Sequence, residues 1–339
     1  MVDFGHEYYI MGQGALGRYL HTYFSKNTSM HFLGFIDNNS NSVSTLRPQD
    51  VQDKSVTVFI GSINYMYEME FQLKSLGFEK VISFGRLTSC FPDLMTFNQS
   101  YNHLQENYTQ NKDKYENLRS MLCDEKSVKV LDTLIEYRKT LETSLYHSIN
   151  DGLNRQYFED FVPPFNVFID GGGFDGDSAI RFINKKRNCK IYFFEPDSVS
   201  FEKAKNKFSR NSRIKMYPYA LSDKECFVRF NSNGSLGAAV SDNGNSFVKC
   251  VALDDIVEED YALIKLDVEG FELNALKGAV KFLKNNSPLM ICVYHKPEDI
   301  YQIPEFILSV NDKYRFYLRH YTNSIFETVL YAIIDKEAK

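Results

Sequence analysis

Short apolar runs alternate with amphipathic stretches over the first 90 residues. The runs YYIM, HFLGFID, VTVFIGS and KVISF have the length and the aromatic or β-branched content of buried strands. Between them, ALGRYLHTYFS and YMYEMEFQLKSLG repeat apolar residues at helical spacing, and the second stretch ends at Gly77. Strands that alternate with helices predict a parallel sheet. We therefore expect a small Rossmann-like α/β domain over residues 1–95.

The following stretch, residues 96–160, is polar and nearly free of Gly and Pro. Its apolar residues recur at helical spacing, which predicts two or three helices. The heptads of a coiled coil are not sustained. We interpret this stretch as a helical linker between two domains.

From Val167 the alternation of strands and helices resumes. Seven strand candidates follow, VFID, KIYFFE, IKMYPYAL, ALIKLD, PLMICVY, YRFYLRH and TVLYAII. Between the third and fourth, CFVRF and SFVKCVAL alternate like a hairpin whose loop is residues 231–245. The short turn between the last two candidates predicts an antiparallel edge. Residues 161–339 are therefore expected to form a doubly wound seven-stranded sheet of the α/β class.

Composition narrows the class of protein. The 339 residues are 43% hydrophobic with a net charge of −5, which is ordinary for a globular protein and argues against nucleic acid as the main partner. The six cysteines form no CxxC pair, so reduced, mostly buried thiols are expected. The N-terminus has no secretory signal pattern and the apolar runs are too short to span a bilayer. We expect a cytoplasmic protein without membrane insertion.

A first glycine loop follows the first predicted strand. MGQGALGRYL fits G-x-G-x-x-G at Gly12, Gly14 and Gly17, and Asp37 lies twenty residues beyond Gly17, where dinucleotide-binding folds place the acid for a ribose. One interpretation is an NAD-type nucleotide site. The other, which we favour, is a glycine turn kept for helix–strand packing, because this unit is half of a dinucleotide fold and has no catalytic candidates.

A second glycine loop, in VFIDGGGFDGDS, differs in charge. Asp170, Asp175 and Asp177 lie within eight residues, and in a partly desolvated cleft they would repel a diphosphate. A ligand with fixed positive charge and hydroxyls fits better. S-adenosylmethionine, with a sulfonium, an ammonium and a ribose diol, is such a ligand.

The ends of the next two predicted strands offer further contacts for this ligand. Glu195 in FFEPD is placed to accept hydrogen bonds from both ribose hydroxyls, and YALSD offers an apolar face for adenine. A single acid at a strand end is usually a surface residue, but this ordered set predicts a methyl-donor site. The predicted cofactor-binding residues are Asp170, Gly171, Gly172, Phe174, Asp175, Ser178, Glu195, Pro196, Ala220, Leu221 and Asp223.

From Leu122 onward the chain resembles the FkbM-type family of S-adenosylmethionine-dependent methyltransferases. The resemblance is carried by VFIDGGGFDGDS, FFEPD, ALSD, VALDDI, IKLDVEGFELNALKGA and YHKPEDI. It implies a class I methyltransferase fold and O-methylation of a sugar, polysaccharide precursor or natural product. The loop GGGFDGD departs from the GANIG-like sequence of many members. The N-terminal unit resembles Rossmann-like modules attached to enzymes of surface-sugar biosynthesis.

Methylation of a hydroxyl requires a base or a metal to remove its proton. Asp267, His295 and His320 follow predicted strands, whose ends face the ligand cleft. A histidine has a pKa suited to a general base, and the three residues are also candidates for holding a divalent cation. A structural histidine is the alternative for His295. Glu269 and Glu272 are interpreted as helix-capping acids.

The expected function is an S-adenosylmethionine-dependent O-methyltransferase with a small-molecule or glycan acceptor. Arg319 is a candidate for binding an anionic acceptor, and the helical linker makes a homodimer plausible. One alternative is an NAD-dependent oxidoreductase or a sugar-nucleotide-modifying enzyme that uses the N-terminal domain. Another is a non-catalytic assembly module.

Overall fold

A computed structural model of the chain describes residues 4–39, 45–91, 94, 103–186, 188–230, 244 and 246–334. The chain divides into two compact units. The first contains Met1–Gln110, Leu131–Leu153 and His320–Phe326, and the second contains Asn111–Val130, Asn154–Arg319 and Glu327–Lys339. Residues of the predicted linker thus occur in both units. The domain boundaries predicted at residues 95 and 160 stay a prediction.

The first unit contains a parallel sheet in the order β3-β2-β1-β4-β5. Its strands are β1 Glu7–Met11, β2 His31–Ile36, β3 Thr45–Leu46, β4 Thr57–Ile60 and β5 Val81–Ile82. Its helices are α1 Ala15–Asn27, α2 Met66–Ser75, α3 Phe84–Cys90 and α4 Leu104–Gln110, with 3₁₀ helices at Pro48–Asp50 and Thr143–Ser148. The four predicted strands are confirmed. The sequence did not predict β3, because two residues are too few to show a period.

The second unit contains the seven-stranded sheet, in the order β14-β15-β13-β12-β6-β7-β8. Its strands are β6 Val167–Gly171, β7 Lys190–Phe194, β8 Ile214–Tyr217, β12 Leu263–Leu266, β13 Leu289–Cys292, β14 Arg315–His320 and β15 Thr328–Ile333. The described helices in or entering this unit are α5 Lys112–Met121, α6 Glu125–Thr140, α7 Asp177–Lys185, α8 Ser198–Phe208, α9 Leu253–Ile256, α10 Glu272–Lys277, α11 Val280–Lys284 and α12 Asp299–Val310. All seven predicted strands are present.

The antiparallel strand lies one place inside the sheet edge. β15 pairs antiparallel with β13, and β14 is the outer strand. All six residues of β15 are buried, whereas β14 begins with an exposed residue. A strand covered on both faces takes an inner position, so the expected antiparallel edge is corrected to an antiparallel strand next to the edge.

A smaller sheet consists of β9 Ala220–Leu221, β10 Cys226–Phe230 and β11 Ser246–Val251. The predicted pairing of β10 with β11 is confirmed as antiparallel. Apart from Gly244, the predicted hairpin loop lies outside the described residues. None of the helices in the described ranges combines the length and apolar content that a membrane crossing needs.

The order of the large sheet reverses beside β6. The chain runs outward from β6 through β7 to β8 and then returns to β12, on the other side of β6. The β6, β7, β8, β12 and β13 strands are parallel, so their carboxyl ends meet at one edge. Such a switch point opens a crevice outside those ends.

Candidate functional site

A cleft of about 690 Å³ opens at the carboxyl ends of β6, β7 and β12. The residues that line it are Gly172, Phe174, Glu195, Pro196, Asp197, Tyr219, Ala220, Leu221, Phe230, Asp267, Val268, Glu269 and Phe271. Six of the predicted cofactor residues are among them, together with the catalytic candidate Asp267. The cleft is therefore the place where the structure brings the predicted site together.

The glycine elbow after β6 lets backbone approach backbone. Gly172 has φ +74°, and a Cβ there would lie 1.8 Å from the carbonyl oxygen of Asp267. Only glycine fits such a conformation and such a contact. Phe174 follows with φ +48°, a strained conformation for a residue with a side chain. The elbow is thereby held against the turn that carries Asp267.

Glu195 joins the elbow to the end of β7. Its side chain is 7% exposed, Oε2 accepts a hydrogen bond from the backbone N–H of Phe174 at 2.8 Å, and Oε1 accepts one from the N–H of Asp197 at 2.8 Å. Burial raises the pKa of Glu195 to about 7, although the two backbone hydrogen bonds lower it. This carboxyl group titrates near neutral pH at the cleft wall.

Lysines balance the three aspartates of the elbow. Asp170 is fully buried, and its carboxylate accepts from Ser178 at 2.5 Å and lies 3.2 Å from the Lys265 ammonium. The Lys207 ammonium lies 2.7 Å from Asp175 and 3.0 Å from Asp177. The negative charge that the sequence assigned to the elbow is thus largely offset, so these three residues do not by themselves select a cationic ligand.

Lys265 was visible in the sequence as the one charged residue inside the apolar run ALIKL. It is 3% exposed, and besides contacting Asp170 it donates to the carbonyl of Gly172 at 2.6 Å. A buried lysine requires such partners. A charge inside an otherwise apolar strand is the signal that would have identified it.

Other predicted cofactor residues have different surroundings. Gly171 ends β6, and a Cβ there would meet the side chains of Leu221 and Leu266. Asp223 is exposed and accepts from the Ser222 hydroxyl at 3.1 Å. Neither Gly171 nor Asp223 is among the residues that line the cleft, and the same holds for Asp170, Asp175 and Ser178.

His295 lies among three carboxylates at the ends of β12 and β13. Nε2 is 3.6 Å from Asp267 Oδ1 and 3.6 Å from Glu269 Oε2, and Nδ1 is 2.9 Å from Glu272 Oε1. Burial lowers the pKa of His295, but the neighbouring carboxylates outweigh it and raise the pKa to about 10. At neutral pH these groups hold positive charge on the imidazole. The general-base role, predicted from an ordinary histidine pKa, stays a prediction.

The carboxylates of this cluster have distinct environments. Glu272, fully buried at the start of α10, accepts from the backbone N–H of Val268 at 2.9 Å. Val268 precedes the helix, so the capping interpretation stays a prediction. Glu269 has φ +54° and lines the cleft. Burial raises the pKa of Glu269 to about 8, with contributions from Asp267 and Glu272 and against the effect of His295. The Tyr294 hydroxyl donates to Asp267 Oδ1 at 3.1 Å.

Sequence reasoning missed Glu327, just before β15. The amide of Gln156 donates to its carboxylate, and it has φ +69°. Burial, then the nearby Asp267, raises the pKa of Glu327 to about 7. Tyr157, with φ +69°, lies next to Gln156, and its hydroxyl is 3.5 Å from Cys292 Sγ. Positive φ values are not readable from sequence at non-glycine residues, so no pattern identified Glu327.

His320 and Arg319 occupy buried positions. His320 belongs to the first unit, is 0% exposed and stacks on Tyr146 with 4.8 Å between ring centroids. Burial lowers the pKa of His320 to about 3, and its catalytic or metal-binding role stays a prediction. Arg319, in the second unit, makes a bidentate pair with Asp124 at 2.6 and 3.2 Å. The Arg319 guanidinium is thus engaged inside the protein, in place of the expected acceptor contact.

In the first unit, the glycine loop before α1 is closely packed. A Cβ on Gly17 would lie 2.0 Å from the carbonyl oxygen of Gly12, which itself has φ +98°. Gly14 precedes α1 with open space around its Cβ position. Asp37 accepts from the backbone N–H of Asn39 at 2.9 Å. Two of the three glycines thus have a packing reason, and the NAD-type site stays a prediction.

Comparison with known proteins gives one strong likeness. Residues 170–324 match the family profile described as "Methyltransferase FkbM domain". The fold is similar to the crystal structure of methyltransferase FkbM from Methylobacillus flagellatus KT, with a TM-score of 0.75 and 18% identity over 96% of this chain and 90% of that chain. At that identity the likeness establishes the fold, a class I methyltransferase sheet. No curated protein sequence matches the chain.

Two further solved structures have lower TM-scores. Aeropyrum pernix fibrillarin with natively bound S-adenosyl-L-methionine has a TM-score of 0.35 and 12% identity over 54% of this chain and 72% of that chain. An rRNA methylase from Streptococcus thermophilus has a TM-score of 0.32 and 14% identity over 56% and 92%. Residues 170–324 therefore match the profile of the FkbM methyltransferase domain, and the fold is that of a class I methyltransferase.

Proposed function

We propose that the cleft binds S-adenosylmethionine and that the chain methylates a hydroxyl of a sugar, polysaccharide precursor or natural product. The observation that carries this proposal is Glu195. It is a buried carboxylate at the end of the second strand of the sheet, oriented by the backbone N–H groups of Phe174 and Asp197. A carboxylate so held is suited to accept hydrogen bonds from a ribose diol.

The rest of the cleft fits the remaining parts of the same molecule. The elbow at Gly172 packs against the backbone of Asp267, so it holds together two turns that line the cleft. Ala220, Leu221 and Phe230 offer an apolar surface of the kind that an adenine ring prefers. Asp267 also lines the cleft, where its carboxylate would attract a sulfonium or ammonium group.

S-adenosylmethionine would supply an activated methyl group, whose bond to sulfur breaks as the acceptor oxygen forms its bond to carbon. The protein's share of this chemistry is to align the acceptor with the methyl group and to allow the hydroxyl proton to leave. A protonated His295 cannot accept that proton. Asp267, which lines the cleft, is the residue that we propose supports its departure.

Binding and transfer can be tested separately. Titration calorimetry with S-adenosylhomocysteine should give one site per chain. Transfer of a labelled methyl group from S-adenosylmethionine to sugar nucleotides and glycans should then identify the acceptor class. Folded protein that gives no heat with millimolar S-adenosylhomocysteine would overturn the proposal. A change in NADH fluorescence that Gly14→Val abolishes would favour an oxidoreductase.

We also propose where the protein is located, which class of acceptor it uses, its oligomeric state and its domain organisation. We expect a cytoplasmic protein that acts on a small-molecule or glycan acceptor and forms a homodimer. The domain organisation that we propose is a Rossmann-like domain over residues 1–95, a helical linker over 96–160 and the methyltransferase domain over 161–339. Light scattering of the purified chain tests the homodimer.

A further inference from the structure

Two cysteines face each other across the small sheet. Cys226, the first residue of β10, pairs with Cys250 of β11 in the antiparallel register. Residues directly opposite in an antiparallel pair have Cα atoms about 4.5–5.5 Å apart, and disulfides span Cα distances of about 4.4–6.8 Å. The register therefore places Cys226 and Cys250 at a separation that a disulfide can bridge without a large movement of the backbone.

Both side chains lie on the same face of the sheet, because directly opposed residues share a face. Along β10 the faces alternate, so that Phe227 is exposed, whereas Cys226 is half-buried and Phe230 is buried. Cys226 is also close enough to Cys250 to form a side-chain hydrogen bond with it. The two thiols are therefore neighbours on the inner face of the hairpin.

The two thiols differ in exposure. Cys250 is 0% exposed, Cys226 is half-buried, and both are free thiols in this structure. Burial raises the pKa of Cys250 to about 12, with contributions from Cys226 and Asp223. Cys250 is thus protonated at neutral pH, and Cys226 is the thiol that solvent reaches. A disulfide reagent should therefore react first at Cys226.

The other cysteines have different surroundings. Cys292 is opposite Val329 where β13 pairs with β15, and Cys90 and Cys123 are exposed. Among the strand pairings of the described residues, the pair in β10 and β11 is the one that sets a cysteine opposite a cysteine. The chemistry of a dithiol is thus confined to this hairpin.

The cysteine pair belongs to the wall of the cleft. Cys250 is the register partner of Ala220 in β9. Ala220 lines the cleft, and so does Phe230 at the other end of β10. A bond between Cys226 and Cys250 would tie the strand that carries Phe230 to the strand that pairs with Ala220.

We propose that Cys226 and Cys250 are a site of reversible disulfide formation, oxidised by a low-molecular-weight disulfide such as oxidised glutathione, and that the bond clamps this wall of the cleft. The Cys226 thiolate attacks one sulfur and displaces one glutathione. Cys250 then loses its proton and attacks the Cys226 sulfur, which releases the second glutathione. Two protein thiols are oxidised, and one glutathione disulfide is reduced to two thiols, which take up the two protons.

The effect of the clamp on ligand binding rests on the proposed function. A wall that a covalent bond holds in one arrangement has less conformational freedom to lose when a ligand binds. The Kd for S-adenosylhomocysteine should therefore fall by about twofold to tenfold on oxidation. Reduction with dithiothreitol should restore the original Kd.

Disulfide formation is measurable without any assay of activity. Full-length chain with the exposed Cys90 and Cys123 replaced by serine keeps four of its six cysteines. The folded protein is incubated with millimolar oxidised glutathione, denatured and assayed for free thiols, and its peptides are mapped by mass spectrometry. We expect the four thiols to fall to two and a peptide that links Cys226 to Cys250.

Two variants in the same background test the order of the steps. Cys226→Ser should keep all of its thiols, because Cys250 is buried and protonated. Cys250→Ala should retain one glutathione on Cys226, because the second step has lost its nucleophile. Cys226 is the more accessible position, so Cys226→Ser keeps the test decisive if Cys250→Ala fails to fold.

The results separate failure of the disulfide site from failure of the proposed function. Folded protein that keeps all four thiols overturns the site, and so does glutathione that stays on Cys226 while Cys250 is present. A disulfide that leaves the Kd for S-adenosylhomocysteine unchanged or raises it overturns the clamp and keeps the site. A disulfide in protein that binds no S-adenosylhomocysteine in either redox state supports the site and overturns the proposed function.

Discussion

The pH dependence of donor binding follows from the buried carboxyl group of Glu195. With a pKa of about 7, it is ionised in about one tenth of molecules at pH 6 and in about nine tenths at pH 8. A ribose diol donates both of its hydrogens, so it is best accepted by the ionised form. Because affinity scales with the competent fraction, the Kd for S-adenosylhomocysteine should fall about tenfold from pH 6 to pH 8, or about 1.4 kcal/mol.

Glu195→Gln should remove the pH dependence of S-adenosylhomocysteine binding that the Glu195 carboxyl group causes. The amide keeps one acceptor oxygen for the two N–H groups of Phe174 and Asp197 and loses the charge, so binding at pH 8 should weaken by about tenfold to a hundredfold. Glu269 lines the same cleft and has a pKa of about 8, and Lys265 and Asp197 act on Glu195 in opposite directions. The contribution of Glu195 is therefore the difference between the wild-type protein and Glu195→Gln in the slope of log Kd against pH.

Titration calorimetry at pH 6, 7 and 8 measures both slopes. The matched control is Glu202→Gln on α8, because Glu202 is exposed and pairs with Lys205, and it should keep the wild-type profile. A Glu195→Gln protein with the full tenfold change would refute the reasoning, since the titrating group would then lie elsewhere. A wild-type Kd that does not change with pH would refute it as well.

Three further predictions concern stability. Gly172→Ala should lower the free energy of unfolding by about 1–2 kcal/mol because of its positive φ, and by more because of the 1.8 Å contact with Asp267. Gly77→Ala and Gly152→Ala, at φ +86° and +80° in open space, should lower it only by the first amount. Equal losses of the three variants in urea denaturation would contradict this. Arg319→Ala should cost about 3 kcal/mol, because it leaves Asp124 without its cation, and Asp124→Asn in the same chain should recover part of the loss. Against the effect of burial, Arg319 and Ser127 lower the pKa of Asp124 to about 2. The Arg319–Asp124 pair therefore stabilises the folded protein above about pH 4, and this stabilisation is lost as the pH falls toward 2. His320 is buried with a pKa of about 3, so the folded protein should lose about 2 kcal/mol of stability between pH 6.5 and pH 5 as the unfolded chain takes up a proton. In His320→Gln the unfolding temperature should depend less on pH over that range. A His320 resonance that titrates near pH 6.5 would contradict this prediction.

Hydrophobic periodicity determined the secondary structure of the chain to a large extent. All residues of the β12 and β13 strands are buried. The β13 strand is accordingly a continuous apolar run, and β12 is apolar except for Lys265. Their order along the chain predicted a doubly wound sheet, and the chemistry at strand ends identified Glu195 and Asp267 as cleft residues. These are local properties, since the side chain after a parallel strand lies at the carboxyl edge whatever the rest of the fold does.

Charge balance was decided by the tertiary structure alone. The sequence showed three aspartates in the elbow but not that Lys265 and Lys207 would neutralise them, because these partners are distant in sequence and meet only when β12 and α8 pack beside β6 and α7. In the same way, His295 has its raised pKa only because Glu272, Glu269 and Asp267 surround it.

Electrostatic energies depend on distance and burial, and neither quantity exists until the chain has folded. The sequence therefore determined which groups are present and at which strand ends they lie. The packing of distant segments decided which of these groups remain charged, which are neutralised inside the protein, and which remain available to a ligand.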